Sequence, residues 1–338
     1  MLRGRVSHFR QHTLSSGLFM LPLLAVLLSL QAHGGELLRA DEALMLQGEH
    51  GKFDFLSMDA AKHRLLAAHT GNGSLDVIDL DARKLVKSVP VGAAQAAVAD
   101  AKGEKYFVAA SKPAKAVVVD AVKGEIISAT ALSGPADLLA LNPRTGLLYV
   151  DHDDGKDLWE IDPASGKIVK TVALPGDSPE DLGFDPAFER LFQCMKNGSL
   201  VAVIDLAAGK VVSSWPTAPA TAPHGMAVIA EEHALAVAGG NGKLVLLSDK
   251  DGHLISSADI PARVDQIAYD KDLHRIYCAS GTGKIAIVHL AEGTLSMLGE
   301  VASSEGCHSI AVDPRTHKVW IAYAKGDQSF VQSYTPAN

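Results

Sequence analysis

The apolar residues of this chain form short runs, and one phrase built on such a run recurs at a nearly constant interval. The phrase is an apolar pair, then Asp or a substitute, then a turn, then a second apolar run. Its anchor positions are Asp79, Asp120, Asp162, Asp205, Ser248 and His289. The steps between them are 41, 42, 43, 43 and 41 residues, and a seventh copy falls near Gln332. A fixed period of this length predicts an array of equal structural units.

Each unit contains four short apolar segments separated by turn residues, and the fourth unit shows them well. Its segments are Asp181–Asp185, Arg190–Met195, Ser199–Leu206 and Lys210–Trp215. Pro, Asn-Gly and Ala-Gly stand at the breaks between them, as turn chemistry requires. Four strands in about 42 residues predict an all-β fold, a seven-bladed β-propeller of four-stranded antiparallel blades.

The seventh unit has no fourth strand after Phe330–Tyr334. The strand-like segment Leu37–Leu46 precedes the first full unit, so we predict that it pairs into the last blade and removes an open edge. The predicted organisation is a signal peptide at residues 1–34 and a single propeller domain at residues 35–338. The domain divides into a closing strand at 35–52 and blades at about 53–92, 93–132, 133–176, 177–223, 224–262, 263–304 and 305–338.

The repeats resemble a known family. Arg64–Gly92, Leu148–Gly176 and Arg190–Thr217 are similar to the YVTN repeats of bacterial propellers, and residues 37–338 resemble the periplasmic YncE-like proteins. The resemblance implies a seven-bladed propeller in the periplasm and implies little about chemistry. Ser248 and His289 stand where the family usually has Asp, which alters the turns of blades 5 and 6 without changing the blade count. The Gly-His and Trp-Asp signature of the WD40 subtype is absent from the sequence.

The first 34 residues have the three parts of a secretory signal. Arg3, Arg5 and Arg10 form a basic region, Leu18–Leu30 is an apolar run, and Ala32-His33-Gly34 is a cleavage site of small-x-small type. An uncleaved anchor is the alternative, although the run is short for a membrane span and contains a Pro. We therefore expect a periplasmic protein with no transmembrane anchor after cleavage.

The charge of the mature chain limits the classes of partner that it is expected to bind. Removal of three Arg with the signal leaves 28 basic and 39 acidic side chains, a net charge of −11 with His neutral. Such a surface repels phosphate backbones, so generic nucleic-acid binding is disfavoured. We expect a monomer that binds a small molecule or an envelope protein.

A column of polar residues marks the predicted mouth of the central channel. The first strand of each propeller blade lies innermost, and one residue aligned near the start of that strand is polar in all seven units. The seven are Asp54, Gln95, Asp137, Glu180, His224, Asp265 and His308. Three positions later the aligned residues are mostly small, as crowding near the axis requires: Ser57, Val98, Ala140, Gly183, Ala227, Ala268 and Ala311. The polar column predicts a ligand site, while a channel mouth that merely tolerates polar residues is the alternative.

Two imidazoles and a carboxylate within the column suggest a possible divalent metal. His224, His308 and Asp265 offer the donor atoms that Zn²⁺ and related ions prefer. Cys307 is a soft donor beside His308, but adjacent side chains on a strand point apart. The three cysteines form no CxxCH motif, so covalent haem is not expected. The acidic stretch Asp151–Asp157 should lie on the same face, and its spacing favours a solvated turn over a Ca²⁺ loop.

The sequence leaves the function open between classes. A binding scaffold that acts through the polar column is favoured over an enzyme, because no GxSxG, HExxH or GxxxxGK[ST] motif occurs. A metal-dependent propeller enzyme, either a lactonase-like hydrolase or an oxidoreductase, is the alternative. A purely structural role without any ligand is the third possibility.

Overall fold

The short apolar segments of the sequence form strands in the computed structural model, which describes Met1 and residues 37–46 and 50–337. Two strands precede the blades: β1 Leu38–Ala40 and β2 Leu44–Leu46. The strands of blades 1 to 3 are β3 Leu56–Asp59, β4 Arg64–His69, β5 Ser74–Asp79, β6 Lys84–Val89, β7 Ala94–Ala99, β8 Lys105–Ser111, β9 Ala114–Asp120, β10 Glu125–Ala131, β11 Ala136–Leu141, β12 Leu148–His152, β13 Asp157–Asp162 and β14 Lys167–Ala173.

The remaining blades follow the same order. Their strands are β15 Pro179–Phe184, β16 Arg190–Met195, β17 Leu200–Asp205, β18 Lys210–Pro216, β19 Pro223–Ile229, β20 Ala234–Gly239, β21 Lys243–Ser248, β22 Leu254–Asp259, β23 Val264–Asp270, β24 Arg275–Ser280, β25 Lys284–Ala291, β26 Thr294–Ala302, β27 Ser309–Val312, β28 Val319–Lys325 and β29 Gln328–Pro336. One 3₁₀-helix, Ala230–Glu232, is the only helix in the part of the chain that the structure describes.

Seven antiparallel sheets account for all the described strands, and each sheet is one blade. Six blades pair four strands in chain order, as predicted. The seventh consists of β27, β28 and β29, and both β1 and β2 pair along the free side of β29. Ala40 lies opposite Tyr334, and Leu44 lies opposite Val331. The fold class is therefore confirmed, including the closure of the last blade by an N-terminal strand.

The first strand of each blade lies innermost and contacts the first strands of the two neighbouring blades, and β27 contacts β3 to close the ring. Small side chains make this approach possible. Gly183 is an example, since a Cβ there would lie 3.1 Å from Cγ2 of Val228 in blade 5. The small-residue column of the sequence thus marks the axis, where the seven sheets converge.

The hydrophobic core is divided into seven clusters, and each cluster is centred between two successive blades. The cluster between blades 5 and 6, for example, packs Leu246 and Ala236 against Ile276 and Cys278. Middle strands contact a blade on both sides, so their burial is continuous rather than alternating: Leu65 to His69 of β4 are all buried. The apolar runs of the sequence are therefore the middle strands of the blades.

The recurring Asp has a structural explanation, because it caps the turn between the third and fourth strands. Oδ1 of Asp79 accepts a hydrogen bond from the Ala82 amide at 2.8 Å, and Asp205 does the same for Ala208 at 2.8 Å. Ser248 is a substitute acceptor in blade 5, where the Lys250 amide donates to its Oγ at 3.2 Å. Blade 6 instead has Glu292 and Gly293 at positive φ in a tight turn, so it does not need an Asp. Both departures change a turn and leave the blade intact, as expected.

Residues 2–34 of the predicted signal peptide at residues 1–34 lie outside the described residues. In residues 37–46 and 50–337, no helix is long and apolar enough to cross a membrane.

Candidate functional site

The polar column of the sequence converges on one cavity. All seven predicted residues line a cavity of about 290 Å³, together with Lys52, Phe55, Asp153 and Lys196. We call this the ring cavity. Five of its lining side chains are carboxylates and two are lysines. The alignment of the seven units therefore identified side chains that meet in space, although they are separated by up to 254 positions between Asp54 and His308.

A repeated backbone irregularity directs these side chains. In blades 3 to 6 the pairing of the first and second strands shifts register directly around the ring residue. The shifts fall between Ala136 and Leu139, Pro179 and Leu182, Pro223 and Met226, and Val264 and Ile267. A β-bulge releases a residue from the ladder and re-aims its side chain. The inner strands can therefore place Asp137, Glu180, His224 and Asp265 in the channel mouth rather than between blades.

Two ion-paired groups occupy the side of the ring formed by blades 4 to 7. Nζ of Lys196 donates to Oε1 of Glu180 at 2.7 Å, and Nε2 of His224 lies 3.7 Å from the same oxygen. Nδ1 of His308 lies 2.8 Å from Oδ2 of Asp265. These contacts fix the cationic and anionic groups of blades 4 to 7 against one another.

The side formed by blades 1 to 3 is acidic and poorly paired. Asp137 is 9% exposed, and the side-chain contact that it makes is with Nε2 of Gln95 at 3.3 Å. Oε1 of Gln95 is buried and has no hydrogen-bond donor. Lys52 lines the same cavity, yet it forms no ion pair with Asp54 or Asp137. We call Asp54, Gln95, Asp137 and Asp153 the acidic arc.

The electrostatics of the ring follow from burial and from the proximity of like charges. Burial, with Asp54 and Asp153 nearby, raises the pKa of Asp137 to about 8. Burial also raises the pKa of Glu180 to about 8, in spite of its bond with Lys196. The pKa of Asp54 rises to about 6 through burial and the neighbouring Asp265. The arc therefore favours a bound proton or another cation at neutral pH.

Asp265 and His308 behave in the opposite way because they hold each other in the charged form. Burial raises the pKa of Asp265, but the hydrogen bond with His308 outweighs it, and the net pKa is lowered. Burial lowers the pKa of His308, and the bond with Asp265 outweighs that effect too, so the net pKa is raised.

The candidate metal ligands fall into two groups rather than one. Donor atoms of Asp54, Asp265 and His308 lie within 4.8 Å of one another, and so do those of Glu180, His224 and Asp265. Asp265 belongs to both groups, whereas each histidine belongs to one. The predicted set of His224, His308 and Asp265 is therefore split between two neighbouring positions in the described part of the chain.

Cys307 does not face the ring cavity. Its thiol is 2% exposed, and Sγ lies 3.4 Å from the Ala322 carbonyl oxygen inside blade 7. Cys194 and Cys278 are also free and buried. The cysteines of the described chain are thus small core side chains, and Cys307 is not placed to serve as a soft metal ligand beside His308.

The acidic stretch after Val150 is only partly a solvated turn, which corrects the prediction. Asp151 is fully buried, and its Oδ1 accepts a hydrogen bond from the Leu138 amide at 2.7 Å. Its Oδ2 accepts another from Nε2 of Gln193 at 2.8 Å, so the carboxyl group fastens blade 3 to blade 4. Asp153 lines the ring cavity, on the expected face. Gly155 lies so close to the ring of His152 that no side chain fits there, and that packing explains the glycine.

Below the ring the channel widens into a second cavity of about 510 Å³ with mostly apolar walls. Ser57 of the small-residue column is one polar exception, and the others are Asp181 and Gln266. The amide of Met226 donates to Oδ2 of Asp181 at 2.8 Å, and burial raises the pKa of this carboxyl group to about 7. Neither Asp181 nor Gln266 was predicted. Each side chain fastens neighbouring blades together at the axis.

Three buried residues form a row that resembles a hydrolytic triad in composition only. His69 lies 2.7 Å from Oδ2 of Asp76 through Nδ1 and 3.1 Å from Oγ of Ser329 through Nε2. All three are fully buried, so a substrate has no access to the hydroxyl. Because Ser329 belongs to blade 7 and His69 to blade 1, the row fastens the two blades where the ring closes.

Lys52 and Lys196 were missed as members of the site. Lys196 begins the turn between the second and third strands of blade 4, and Lys52 precedes Asp54 by two positions. The sequence could have identified Lys196 if the turns between the second and third strands had been aligned as well as the first strands.

Comparisons with known proteins give the fold. No protein-family model matches the chain, and no curated protein matches its sequence. The chain is similar to a solved chain of Kuenenia stuttgartiensis hydrazine synthase, at 16% identity and TM-score 0.71, covering 85% of this chain and 98% of that one. It is also similar to a chain of a mitotic checkpoint complex, at 12% identity and TM-score 0.77 with 100% of both chains covered.

The WD40 repeats of RRP9 are a further match, at 10% identity and TM-score 0.75, covering 88% of this chain and 99% of that chain. At such identities the likeness concerns the fold alone. The chain is therefore a seven-bladed β-propeller, and its fold is similar to that of the WD40 repeats of RRP9.

Proposed function

We propose that this protein is a secreted, YncE-like periplasmic propeller that binds a small molecule or an envelope protein through the ring cavity. The observation that carries the proposal is the convergence of seven polar residues, one from each blade, on a single concave site. A rigid ring of blades that presents charged groups at one mouth is suited to recognition, because the groups need no rearrangement before binding.

The binding proposal is tested by a thermal-unfolding screen of charged and neutral metabolites with three proteins. They are the parent chain, a ring variant and a surface control. The ring variant carries Asp137→Asn, Glu180→Gln and Asp265→Asn. The control carries Asp272→Asn, Glu125→Gln and Glu292→Gln at exposed positions, so both variants exchange three carboxyl groups for amides.

A ligand of the ring cavity raises the Tm of the parent and of the control, but not that of the ring variant. Ligands that stabilise all three proteins equally would show that the ring is not the binding site.

The secretion proposal rests on the pattern of residues 1–34 and has its own test. We expect N-terminal sequencing of the protein from the periplasmic fraction to begin at residue 35. Recovery of the intact chain with its original N-terminus from the cytoplasm would contradict it.

A metal-dependent enzyme, lactonase-like or oxidoreductase, is the second candidate, and the grouping of His224, His308 and Asp265 with neighbouring carboxylates favours it. One ion bound by Asp54, Asp265 and His308, or by Glu180, His224 and Asp265, would supply a Lewis acid at the channel mouth. Metal analysis of the natively purified protein, of His308→Ala and of His224→Ala tests both positions. Loss of about one equivalent in a single variant identifies the occupied group, while a parent protein without metal removes this candidate.

A further inference from the structure

The ring cavity adjoins another cavity on the same face, and this one contains an arginine rather than several carboxylates. It has a volume of about 310 Å³ and is lined by His224, Gly240, Arg263, Val264, Asp265, Gly281, Gly306 and His308. We call it the side groove. Three of its residues, His224, Asp265 and His308, also line the ring cavity, so a ligand can span both.

The side groove offers a free guanidinium group to an anion. Arg263 is exposed, and its side chain forms no ion pair within the described residues. The one carboxylate of the groove, Asp265, is already bonded to His308 at 2.8 Å. Gly240 and Gly281 add no side chains, and a Cβ at Gly281 would lie 3.4 Å from the Arg263 guanidinium. An unpaired, planar guanidinium at an open groove is well suited to a carboxylate, which it can bind through two parallel hydrogen bonds.

The acidic arc offers the complementary site. Asp137 and Gln95 line the ring cavity, the Asp137 carboxyl group is buried, and Oε1 of Gln95 is buried without a donor. An ammonium group carries three N–H donors and a positive charge, so it can pair with the Asp137 carboxyl group. Lys196 and His308 are engaged with Glu180 and Asp265, and Lys52, which lines the same cavity, forms no ion pair with Asp137.

Asp137 and Arg263, the central residues of the two poles, lie on blades at opposite sides of the ring. The arc belongs to blades 1 to 3 and Arg263 to blade 6, which lies across the ring of seven from blades 2 and 3. Resting on the binding role proposed above, we propose that the site takes a small zwitterion whose ammonium and carboxylate groups are several bonds apart. The termini of a short peptide and the two ends of an ω-amino acid have this form.

Isothermal titration with three probes of equal chain length tests the proposal. The probes are 6-aminohexanoate, hexylamine and hexanoate. We expect 6-aminohexanoate to bind at least about tenfold more tightly than either probe with one charge, since it engages both poles. Arg263→Gly should reduce its affinity to that of hexylamine and leave hexylamine binding unchanged.

Arg263→Gly is a suitable variant because Arg263 has a φ of 61°, a conformation that glycine adopts without strain. Ala222→Gly is the matched control, since Ala222 has a φ of 49° two residues before His224, in the equivalent place of blade 5. The control should bind all three probes as the parent does.

The outcomes separate this proposal from the binding role. Hexylamine bound as tightly as 6-aminohexanoate excludes the anionic pole, and hexanoate bound as tightly excludes the cationic pole. If none of the probes binds while the thermal screen yields a ligand sensitive to the ring variant, the zwitterion proposal is wrong and the binding role stands. If the screen also yields no such ligand, both fail.

Discussion

At the scale of single residues, buried polar side chains at the axis fix the positions of neighbouring blades. Asp137, Asp151 and Gln266 are at least about nine-tenths buried and Asp181 is half-buried, and each accepts or donates hydrogen bonds near the inner strands. A buried polar group without a partner costs free energy, so these contacts fix the positions of the blades. Asp137 differs from the rest because its single partner is a weakly bonded amide.

Asp137→Asn should change the pH dependence of stability. The pKa of Asp137 is raised from 3.8 to about 8, mainly by burial and with contributions from Asp54, Asp153 and Asp265. A raised carboxyl pKa contributes stability that is fully present below about pH 4 and is lost as the pH rises to about 8. The Asn variant keeps its neutral group, so its stability relative to the parent should rise by about 1 kcal/mol or more between pH 5 and pH 8.5.

Urea unfolding at the two pH values measures the change. Asp272→Asn, at an exposed position, should show no such pH-dependent difference. Parallel pH profiles of the parent and Asp137→Asn would contradict the raised pKa.

Gln266 fastens three blades with one side chain. Its Oε1 accepts from the amides of Leu56 at 3.0 Å and Ile310 at 2.9 Å, and its Nε2 donates to the Leu56 carbonyl at 2.7 Å. Gln266→Ala leaves these backbone groups buried and unpaired, so we expect a loss of about 2–4 kcal/mol in the free energy of unfolding. Gln328→Ala, on the surface, should change it by less than about 0.5 kcal/mol. A loss below about 1 kcal/mol for Gln266→Ala would mean that water replaces the amide.

The outer strand of a blade is the element that neighbouring strands enclose least. It has a neighbour on one side only, and its apolar residues remain exposed, such as Ile127 at 53% in β10, Val169 at 52% in β14 and Val212 at 52% in β18. Register shifts occur next to the outer strand in six blades, for instance between Ile126 and Ser128. Bulges and twist of this kind discourage pairing with another molecule along an open edge.

Ile127→Lys should therefore improve solubility without loss of stability. The exposed side chain contributes little to the core, so the free energy of unfolding should change by less than about 0.5 kcal/mol. The added charge lies on an open edge, and the concentration at which light scattering detects aggregates should rise. Ala129→Lys adds the same charge to the same strand and removes less apolar surface. An equal gain from both variants would assign the effect to charge alone.

Closure of the ring is a property of the whole molecule. Blade 7 takes its last strand from the N-terminal side of the domain, and contacts from both ends of the chain meet there. Asp41 binds Nζ of Lys318 and Oγ of Ser333, each at 2.7 Å. Between the two blades, Nε2 of His63 in blade 1 lies 2.7 Å from Oδ2 of Asp313 in blade 7. Asp41 thus holds the N-terminal strands in blade 7, and His63 joins blade 1 to blade 7.

Removal of the closing strands should destabilise the whole ring. A chain that begins at residue 50 loses β1 and β2 with the buried Leu38 and Leu46, at a cost of about 3 kcal/mol or more. It also exposes the edge of β29, so we expect a lower Tm and concentration-dependent oligomers in size-exclusion chromatography with light scattering. A chain that begins at residue 37 keeps both strands and is the control. Equal Tm values for the two chains would show that closure is not required.

The sequence by itself determined the number of blades, the order of strands and the seven aligned residues, one from each blade, that line the ring cavity. All three depend on the 42-residue period, because equal units place equivalent residues at equivalent radii, and Asp54 to His308 follow from it directly. The sequence also showed that Ser248 and His289, which stand in place of Asp, change a turn without removing a blade. This was readable from sequence because a turn is a local feature.

Only the tertiary structure decided which side chains meet across blades. Lys196 pairs with Glu180, His308 pairs with Asp265, and Asp151 is buried between two blades rather than solvated. Side-chain direction at a β-bulge and the burial that shifts a carboxyl pKa depend on contacts between residues from different blades, far apart in sequence. A period fixes where a residue lies in its own blade, but the neighbouring blade decides its partner and its charge.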